Sequence, residues 1–300
     1  MDKTPFHPFR SPEAKLEYLK AYDHQAEQWP LPSESRIVDT SFGQTFIRVQ
    51  GPANGAPLVL LPGDTETSLS WLPIIKPLSK GFRTYAIDHI YDNGRSVYSK
   101  AMTRPADFVV WLDEVFNALG LERINLVGYS YGGWQTALYA LAHPGRVKKL
   151  VLLAPSSTVL SPGPIMLARA ILYHFLPFRF VARIYFHWYG PDAVKDDQTR
   201  SRIDEMVEED LLARRCFKKR KFVFPTRLSD AEWANLAAPT LFLVGENDKT
   251  YSPARTVSRL HQVAPAVVAK VAPNTDHYIT LTNPDWVVET MLGFLRGSED

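Results

Sequence analysis

The sequence is poor in cysteine and carries almost no excess charge. Its 300 residues include one cysteine, Cys216, which excludes an intrachain disulfide and a cluster of thiolates around a metal ion. Lysine and arginine together give a formal net charge of +2 over aspartate and glutamate. Because this surplus is too small to indicate a nucleic-acid groove, we expect no nucleic-acid partner.

A long uninterrupted apolar run is also missing. The most apolar stretch, residues 165–189, contains Arg169, Arg179 and Arg183, and a central arginine in a membrane span costs about 2.5–3.5 kcal/mol. Residues 1–10 contain charged side chains and two prolines, a pattern unlike that of a secretory signal. We therefore expect a cytoplasmic protein with no stable membrane insertion.

Short apolar runs alternate with helical patterns along much of the chain. Such runs are typical of strands buried on both faces of a parallel sheet. They occupy residues 58–61, 83–87, 124–127, 150–153, 240–244 and 267–271. Residues 106–119 and 131–142 show helical patterns, and residues 36–42 and 44–50 predict a β-hairpin. The alternation predicts an α/β fold, with a mostly parallel central sheet and helices on both of its faces.

The alternation is interrupted between residues 155 and 238. Prolines and a glycine open this segment at residues 162–164, and an aromatic-rich stretch and a charged helical pattern follow. A basic run at residues 218–221 comes next. Together with Arg214 and Arg215 we expect it to be a solvated face, and attraction of anionic substrates or of a membrane surface is the alternative. The sequence thus predicts an α/β core of residues 1–154 and 239–300, with a helical insertion at residues 155–238.

One motif combines a serine with closely spaced glycines. The sequence Gly128-Tyr129-Ser130-Tyr131-Gly132 follows a predicted strand and precedes a predicted helix. A nucleophile elbow needs this arrangement, because the serine occupies a strained strand-to-helix turn and the glycines let neighbouring backbone pass. The start of the helix also places positive dipole beside the hydroxyl. Ser130 is the predicted nucleophile, and a serine in a tight glycine-rich turn is the alternative.

A serine nucleophile needs a base and an acid that orients the base. Glu246 and Asp248 follow one of the last two predicted strands, and Asp276 and His277 follow the other. Open α/β sheets build their sites at the carboxyl ends of strands, so these loops are expected to meet near Ser130. We predict His277 as the base and Asp248 as the acid, with Glu246 and Asp276 as alternatives for the acid.

These residues, with the hairpin before them, resemble the α/β-hydrolase superfamily, in its branch of bacterial serine carboxylesterases with a helical cap. The resemblance covers residues 37–294 and implies that the insertion forms a lid over the site. It also implies that the backbone amides of Asp64 and Tyr131 hold the oxyanion. The sequence departs from the family at Pro62, where histidine is usual, and at Asp64, where an apolar residue is common. No cofactor and no metal are expected.

The expected substrate pocket lies beside the serine and includes Gly63, Trp71 and Tyr129, covered by aromatic residues of the insertion. Such a site predicts hydrolysis of a carboxylic ester with a small to medium apolar acyl group, through an acyl-enzyme. The same triad could instead serve C–C or lactone hydrolysis or acyl transfer. A non-catalytic binding protein is a third hypothesis, because the Asp64 carboxylate opposes a developing oxyanion unless it is turned away or protonated. The sequence indicates no oligomeric state.

Overall fold

The computed structural model describes residues 4–297, and the outer limits predicted for the core, residues 1 and 300, lie outside that range. The strands in chain order are β1 (Glu34–Thr40), β2 (Gly43–Gln50), β3 (Ala56–Leu61), β4 (Phe82–Ile87), β5 (Val97–Tyr98), β6 (Ile124–Tyr129), β7 (Val147–Leu153), β8 (Thr240–Gly245) and β9 (Val268–Ala272). The α-helices are α1 (Pro12–Ala26), α2 (Ile75–Leu78), α3 (Pro105–Ala118), α4 (Ser130–Ala142), α5 (Pro164–Phe175), α6 (Arg179–Tyr189), α7 (Asp197–Cys216), α8 (Asp230–Ala234), α9 (Pro253–Val263), α10 (Ile279–Thr282) and α11 (Pro284–Arg296).

The strands form one sheet in the order β1-β2-β4-β3-β6-β7-β8-β9, with the short β5 paired to β2. β1 and β2 form the predicted antiparallel hairpin, and β2 also runs antiparallel to β4. From β4 to β9 every pair of neighbours is parallel. Each predicted apolar run overlaps a strand, so the predicted fold class is confirmed. The carboxyl ends of these parallel strands therefore share one edge of the sheet.

Helices cover both faces of the sheet. α3 and α4 lie on one face, where Phe108, Trp111 and Trp134 are buried in the larger apolar cluster. α2 and α11 lie on the other face, with Ile75 and Met291 buried in a second cluster. Burying a large apolar side chain stabilises the fold by roughly 1.5–3 kcal/mol. The strands between these clusters have no polar face, which explains their nearly continuous apolar runs.

Four helices, α5 to α8, lie between β7 and β8, in the segment predicted as an insertion. α6 and α7 pack together through a cluster of their own that includes Phe186, Ile203 and Val207, and Tyr278 of the core joins it. The N-terminal helix α1, which no pattern in the sequence predicted, packs against α7. The insertion therefore rests on both the core and the N-terminal helix.

The side chain of Asp276 connects the insertion to the core through hydrogen bonds. Its buried carboxylate accepts hydrogen bonds from the backbone amides of Asp192 and Ala193, both at 2.8 Å, and from that of Tyr278 at 2.9 Å. Asp192 and Ala193 lie between α6 and α7, whereas Tyr278 belongs to the turn after β9. Since buried amides need an acceptor, this single carboxylate connects two segments that are distant in sequence.

Replacing Asp276 with alanine should destabilise the fold. Three buried amides would lose their acceptor, and we expect the free energy of unfolding to fall by about 2–4 kcal/mol. Urea denaturation measures this change, with Glu289→Ala on the exposed side of α11 as the control. Equal stability of the two variants would contradict the anchoring role.

Candidate active site

Ser130 stands at the turn from β6 to α4, and its backbone is left-handed, with a φ of 49°. The two glycines of the motif are required by close packing. A Cβ at Gly128 would collide with the Thr136 side chain, and one at Gly132 would collide with the carbonyl oxygen of Pro62. Positive φ is uncommon outside glycine and is found at functional turns. The strand, strained turn and helix that the sequence predicts around Ser130 are all present.

The structure brings the three predicted catalytic residues together. Ser130 Oγ lies 2.9 Å from His277 Nε2, and His277 Nδ1 lies 2.8 Å from Asp248 Oδ2. His277 and Asp248 are buried, with side chains 2% and 0% exposed. A further hydroxyl, Ser156 Oγ, lies 3.1 Å from Ser130 Oγ. Asp248 follows β8 and His277 follows β9, so the shared edge of the sheet positions both.

The two alternative acids have other partners. Glu246 is exposed and accepts a hydrogen bond from the Asn274 amide at 2.9 Å. The Asp276 carboxylate accepts hydrogen bonds from backbone amides of the insertion instead. Within residues 4–297 neither carboxylate has a hydrogen bond to His277. The geometry therefore favours Asp248 over both alternatives.

Two residues that the sequence analysis missed support the histidine. The Thr250 amide donates to Asp248 Oδ1 at 2.7 Å, and Thr250 Oγ1 lies 3.2 Å from His277 Nδ1. Tyr189, at the end of α6, has its hydroxyl 2.7 Å from Thr250 Oγ1 and its ring centroid 4.5 Å from that of His277. Burial raises the pKa of Tyr189 well above its usual range, so this phenol stays neutral. Proximity to Asp248 in sequence could have indicated Thr250, but nothing local indicates Tyr189.

The loop after β3 carries the predicted oxyanion donor Asp64. It is closed by Glu66, whose amide donates to the Gly63 carbonyl at 3.3 Å and whose Oε2 accepts from the Gly63 amide at 3.2 Å. In the part of the chain that the structure describes, the Asp64 amide donates no hydrogen bond. Tyr131 lies in the first turn of α4, where amides have no acceptor within the helix. Both predicted donor amides are thus available to a ligand.

Arg220 corrects the expectation that the basic run at 218–221 is a solvated face. Its side chain is only 19% exposed and forms ion pairs with Asp92 and, at 3.5 Å, with Asp64. Asp92 also accepts a hydrogen bond from the Thr65 amide at 3.0 Å. Burial and the neighbouring Asp92 raise the pKa of Asp64 well above its usual range, although Arg220 acts to lower it. One cation of the insertion is therefore inserted between two carboxylates of the core.

Two of the three predicted pocket residues, Gly63 and Tyr129, lie close to each other in the fold. Tyr129 donates a hydrogen bond to the backbone carbonyl of His277 at 3.1 Å, and a Cβ on Gly63 would lie 3.2 Å from the Tyr129 ring. Trp71 is buried in the same apolar cluster as Tyr129. Their role as the walls of a substrate pocket stays a prediction.

Among residues 4–297, no three His, Cys, Asp or Glu side chains are arranged to hold a metal ion. No helix in the same range has the length and apolar character needed to cross a bilayer.

Comparison with known proteins identifies the class. A sequence model of the alpha/beta hydrolase family matches residues 58–290. The chain therefore belongs to the alpha/beta hydrolase family. Its relatives include carboxylesterase YbfK of Bacillus subtilis, which is 31% identical over 296 residues, 96% of this chain and 97% of that protein.

Solved structures agree with this assignment. The crystal structure of carboxylesterase CesB (YbfK) from Bacillus subtilis matches with a TM-score of 0.84 and 32% identity, over 95% of this chain and 99% of the other. Naproxen esterase (carboxylesterase NP) from Bacillus subtilis matches with a TM-score of 0.86 and 27% identity, over 96% of this chain and all of the other. The similarity thus includes the insertion as well as the core.

The Glu66 carboxyl should make stability depend on pH. Burial raises its pKa from the usual 4.5 to about 7, so the folded protein holds a proton that the unfolded chain releases. Stability then falls as the pH rises from about 4.5 to about 7. Glu66→Gln keeps an acceptor for the Gly63 amide without a charge. We expect this variant to exceed the wild type in unfolding free energy above pH 7, by on the order of 1–3 kcal/mol.

Urea denaturation of both proteins at several pH values between about 4.5 and 8 measures the difference. The gap should close toward the acid end, where Glu66 is protonated in both the folded and the unfolded chain. Glu289→Gln, at an exposed position of α11, is the control and should show no such trend. A Glu66→Gln variant that is less stable than the wild type at the alkaline end would show that the ionised carboxylate stabilises the loop.

Proposed function

We propose that the protein hydrolyses carboxylic esters through an acyl-enzyme intermediate on Ser130. The observation that carries the proposal is the continuous chain of contacts from Ser130 Oγ through His277 to Asp248, at 2.9 and 2.8 Å. The carboxylesterase relatives, which align over nearly the whole chain, support the same reaction. The chain is accordingly a hydrolase of the carboxylesterase kind, with a small ester molecule as its substrate.

In the proposed reaction Ser130 Oγ attacks the ester carbonyl while His277 Nε2 takes its proton. Asp248 holds the proton-bearing Nδ1 and stabilises the imidazolium that forms. His277 then protonates the departing alcohol. A water molecule then attacks the acyl carbon while His277 takes its proton, and His277 passes that proton to Ser130 Oγ as the bond between the acyl group and the serine breaks and the acid leaves. Thr250 keeps Asp248 in place by donating its amide to the second carboxylate oxygen.

The amides of Asp64 and Tyr131 are the proposed donors to the oxyanion. Neither has a competing acceptor among the described residues, and the Gly63 amide is already occupied by Glu66. Donors fixed before the reaction begins are effective because no reorganisation is needed as the negative charge develops. One such donor typically contributes about 2.7–4 kcal/mol to transition-state stability.

The guanidinium of Arg220 offsets the negative charge of the Asp64 carboxylate. A carboxylate beside the oxyanion would repel it, and at an effective dielectric constant of about 20 this repulsion is several kcal/mol at close range. The ion pair with Arg220 offsets the charge, and the raised pKa of Asp64 favours its neutral form. The non-catalytic hypothesis was based on the charge of Asp64, and this charge is now offset.

We further propose that residues 155–238 act as the lid of the site and that Gly63, Trp71 and Tyr129 bound an apolar acyl pocket. The contact of Tyr189 with His277 supports the first part, because it places an insertion helix directly against the catalytic base. A small to medium acyl group suits this covered site. A cytoplasmic location is proposed as well, with the single buried cysteine, Cys216, as its support.

Hydrolysis of p-nitrophenyl butyrate tests the proposed nucleophile. Ser130→Ala removes the attacking oxygen, so we expect kcat/KM to fall by about ten thousandfold or more. Ser156→Ala is the matched control, since it removes the neighbouring hydroxyl and leaves the triad intact. Equal rates for the wild type and Ser130→Ala would contradict ester hydrolysis at this serine. Labelling of the wild type by a fluorophosphonate would then distinguish another acyl transfer from a protein without catalytic activity.

Arg220→Met should slow the same reaction. Without the guanidinium, Asp64 and Asp92 lose the cation that they share and repel each other in the loop that carries the Asp64 amide, so we expect kcat to fall roughly ten- to a hundredfold with little change in KM. The double variant Asp64→Asn/Arg220→Met removes both charges and should recover most of the loss. Lys219→Met, at an exposed neighbour in the same basic run, serves as control. Failure of the double variant to recover would mean that Arg220 acts by another route.

A further inference from the structure

The outer face of the first two insertion helices is strongly apolar. We call residues 164–189, which comprise α5, α6 and the turn between them, the apolar hairpin. Nine of the sixteen large apolar side chains exposed within residues 4–297 belong to it. Phe175, Phe178 and Phe180, around its turn, are 75%, 66% and 75% exposed. Such a concentration on one surface indicates a binding site for another apolar phase.

The apolar hairpin also carries positive charge without negative charge. Residues 155–190 contain Arg169, Arg179 and Arg183 but no aspartate or glutamate. Arg179 and Arg183 form ion pairs with carboxylates of α7, yet their side chains remain 78% and 57% exposed. Exposed ion pairs of this kind are weak and exchange readily with other anions. The surface is therefore suited to an apolar partner that bears negative charge.

A groove beside the turn of the hairpin collects further arginines. It has a volume of about 570 Å³, and its lining includes Arg10, Arg179, Arg214 and Arg215 together with Phe178. Arg179, Arg214 and Arg215 pair with Glu208, Asp210 and Glu17. Arg10 donates hydrogen bonds to backbone carbonyl oxygens, including that of Arg214 at 3.1 Å, and among the described residues it has no carboxylate partner. Guanidinium groups match the geometry of phosphate oxygens. We call this cavity the arginine groove.

We propose that the apolar hairpin binds the surface of a bilayer containing anionic phospholipid. Its phenylalanines enter the headgroup region, and the arginine groove receives a lipid phosphate. α5 has 12 residues, about 18 Å at 1.5 Å per residue, which is too short for a hydrocarbon core of about 30 Å. The hairpin therefore lies in the interface and does not cross the bilayer.

The charges argue against a second copy of the chain as the occupant. A twofold contact joins the same surface of both copies. Such a contact through the hairpin would bring Arg169, Arg179 and Arg183 of each copy toward their equivalents, and the hairpin itself contributes no carboxylate to that contact. The carboxylates that pair with Arg179 and Arg183 lie on α7 of the same copy. An anionic bilayer buries the same apolar side chains and gives every arginine a negative partner.

The proposed surface is directly connected to the catalytic base. α6 begins next to the exposed Phe180 and ends at Tyr189, whose ring contacts His277. Its buried face, with Ala182 and Phe186, packs on α7. An ester dissolved in the bilayer would therefore be held on the outer side of the same helix that covers the site.

Sedimentation with vesicles tests the proposal. Wild-type protein should pellet with mixed phosphatidylcholine–phosphatidylglycerol vesicles, weakly with phosphatidylcholine alone, and less as salt is added. The triple variant Phe175→Ser/Phe178→Ser/Phe180→Ser should bind at least roughly tenfold more weakly. Arg179→Gln should lose part of the preference for phosphatidylglycerol. The control Ile37→Ser/Val268→Ser changes exposed apolar residues on β1 and β9 and should bind like the wild type.

All the substituted side chains are exposed, so we expect every variant to fold. Thermal unfolding of each variant checks this. The proposal is overturned if the wild type stays in the supernatant with phosphatidylglycerol vesicles, or if the triple variant pellets as well as the wild type. Equal binding to vesicles with and without phosphatidylglycerol would contradict the proposed role of the arginines. A wild-type dimer in size-exclusion chromatography that the triple variant converts to a monomer would instead identify a second copy as the occupant.

Discussion

The left-handed backbone at Ser130 is the constraint on which the rest of the site depends. Such a conformation costs about 1–3 kcal/mol and persists only where the surrounding packing enforces it. Gly128 and Gly132 make that packing possible, because the turn presses against α4 and the end of β3 with no space for a Cβ. The same contact places the loop of Asp64 beside the first turn of α4, which contains Tyr131. The strain at the nucleophile and the position of the proposed oxyanion donors therefore have one origin.

The features predicted correctly from sequence are those with local patterns. Buried parallel strands read as apolar runs because both of their faces are covered, and the glycine spacing around Ser130 reports the close packing of one turn. The position of Asp248 and His277 beside Ser130 was also predictable, although both lie far from Ser130 in sequence. Parallel strands bring all their carboxyl ends to one edge, so topology converts a position after a strand into a position in the site.

Contacts between distant segments were not predictable. Arg220 looks like any other member of a basic run, and only its burial between Asp64 and Asp92 distinguishes it. Likewise the sequence around Tyr189 gives no sign that its ring contacts His277. Such contacts depend on how the insertion is oriented on the core, which periodicity does not determine. The helical character of the insertion was therefore evident from sequence, but its partners were not.

The small net charge of the chain conceals two different uses of arginine in the insertion. On the inner face, Arg220 is largely buried and pairs with the carboxylates of Asp64 and Asp92, which would otherwise repel each other beside the site. On the outer face, Arg179 and Arg183 remain exposed among apolar side chains. A buried cation is fixed by its partners, because leaving it unpaired is costly, whereas an exposed cation can exchange its partner for a phosphate. The degree of burial, and not the sign of the charge, thus distinguishes an arginine that holds the site together from one that is free to bind a ligand. The amino-acid composition contains no information about burial.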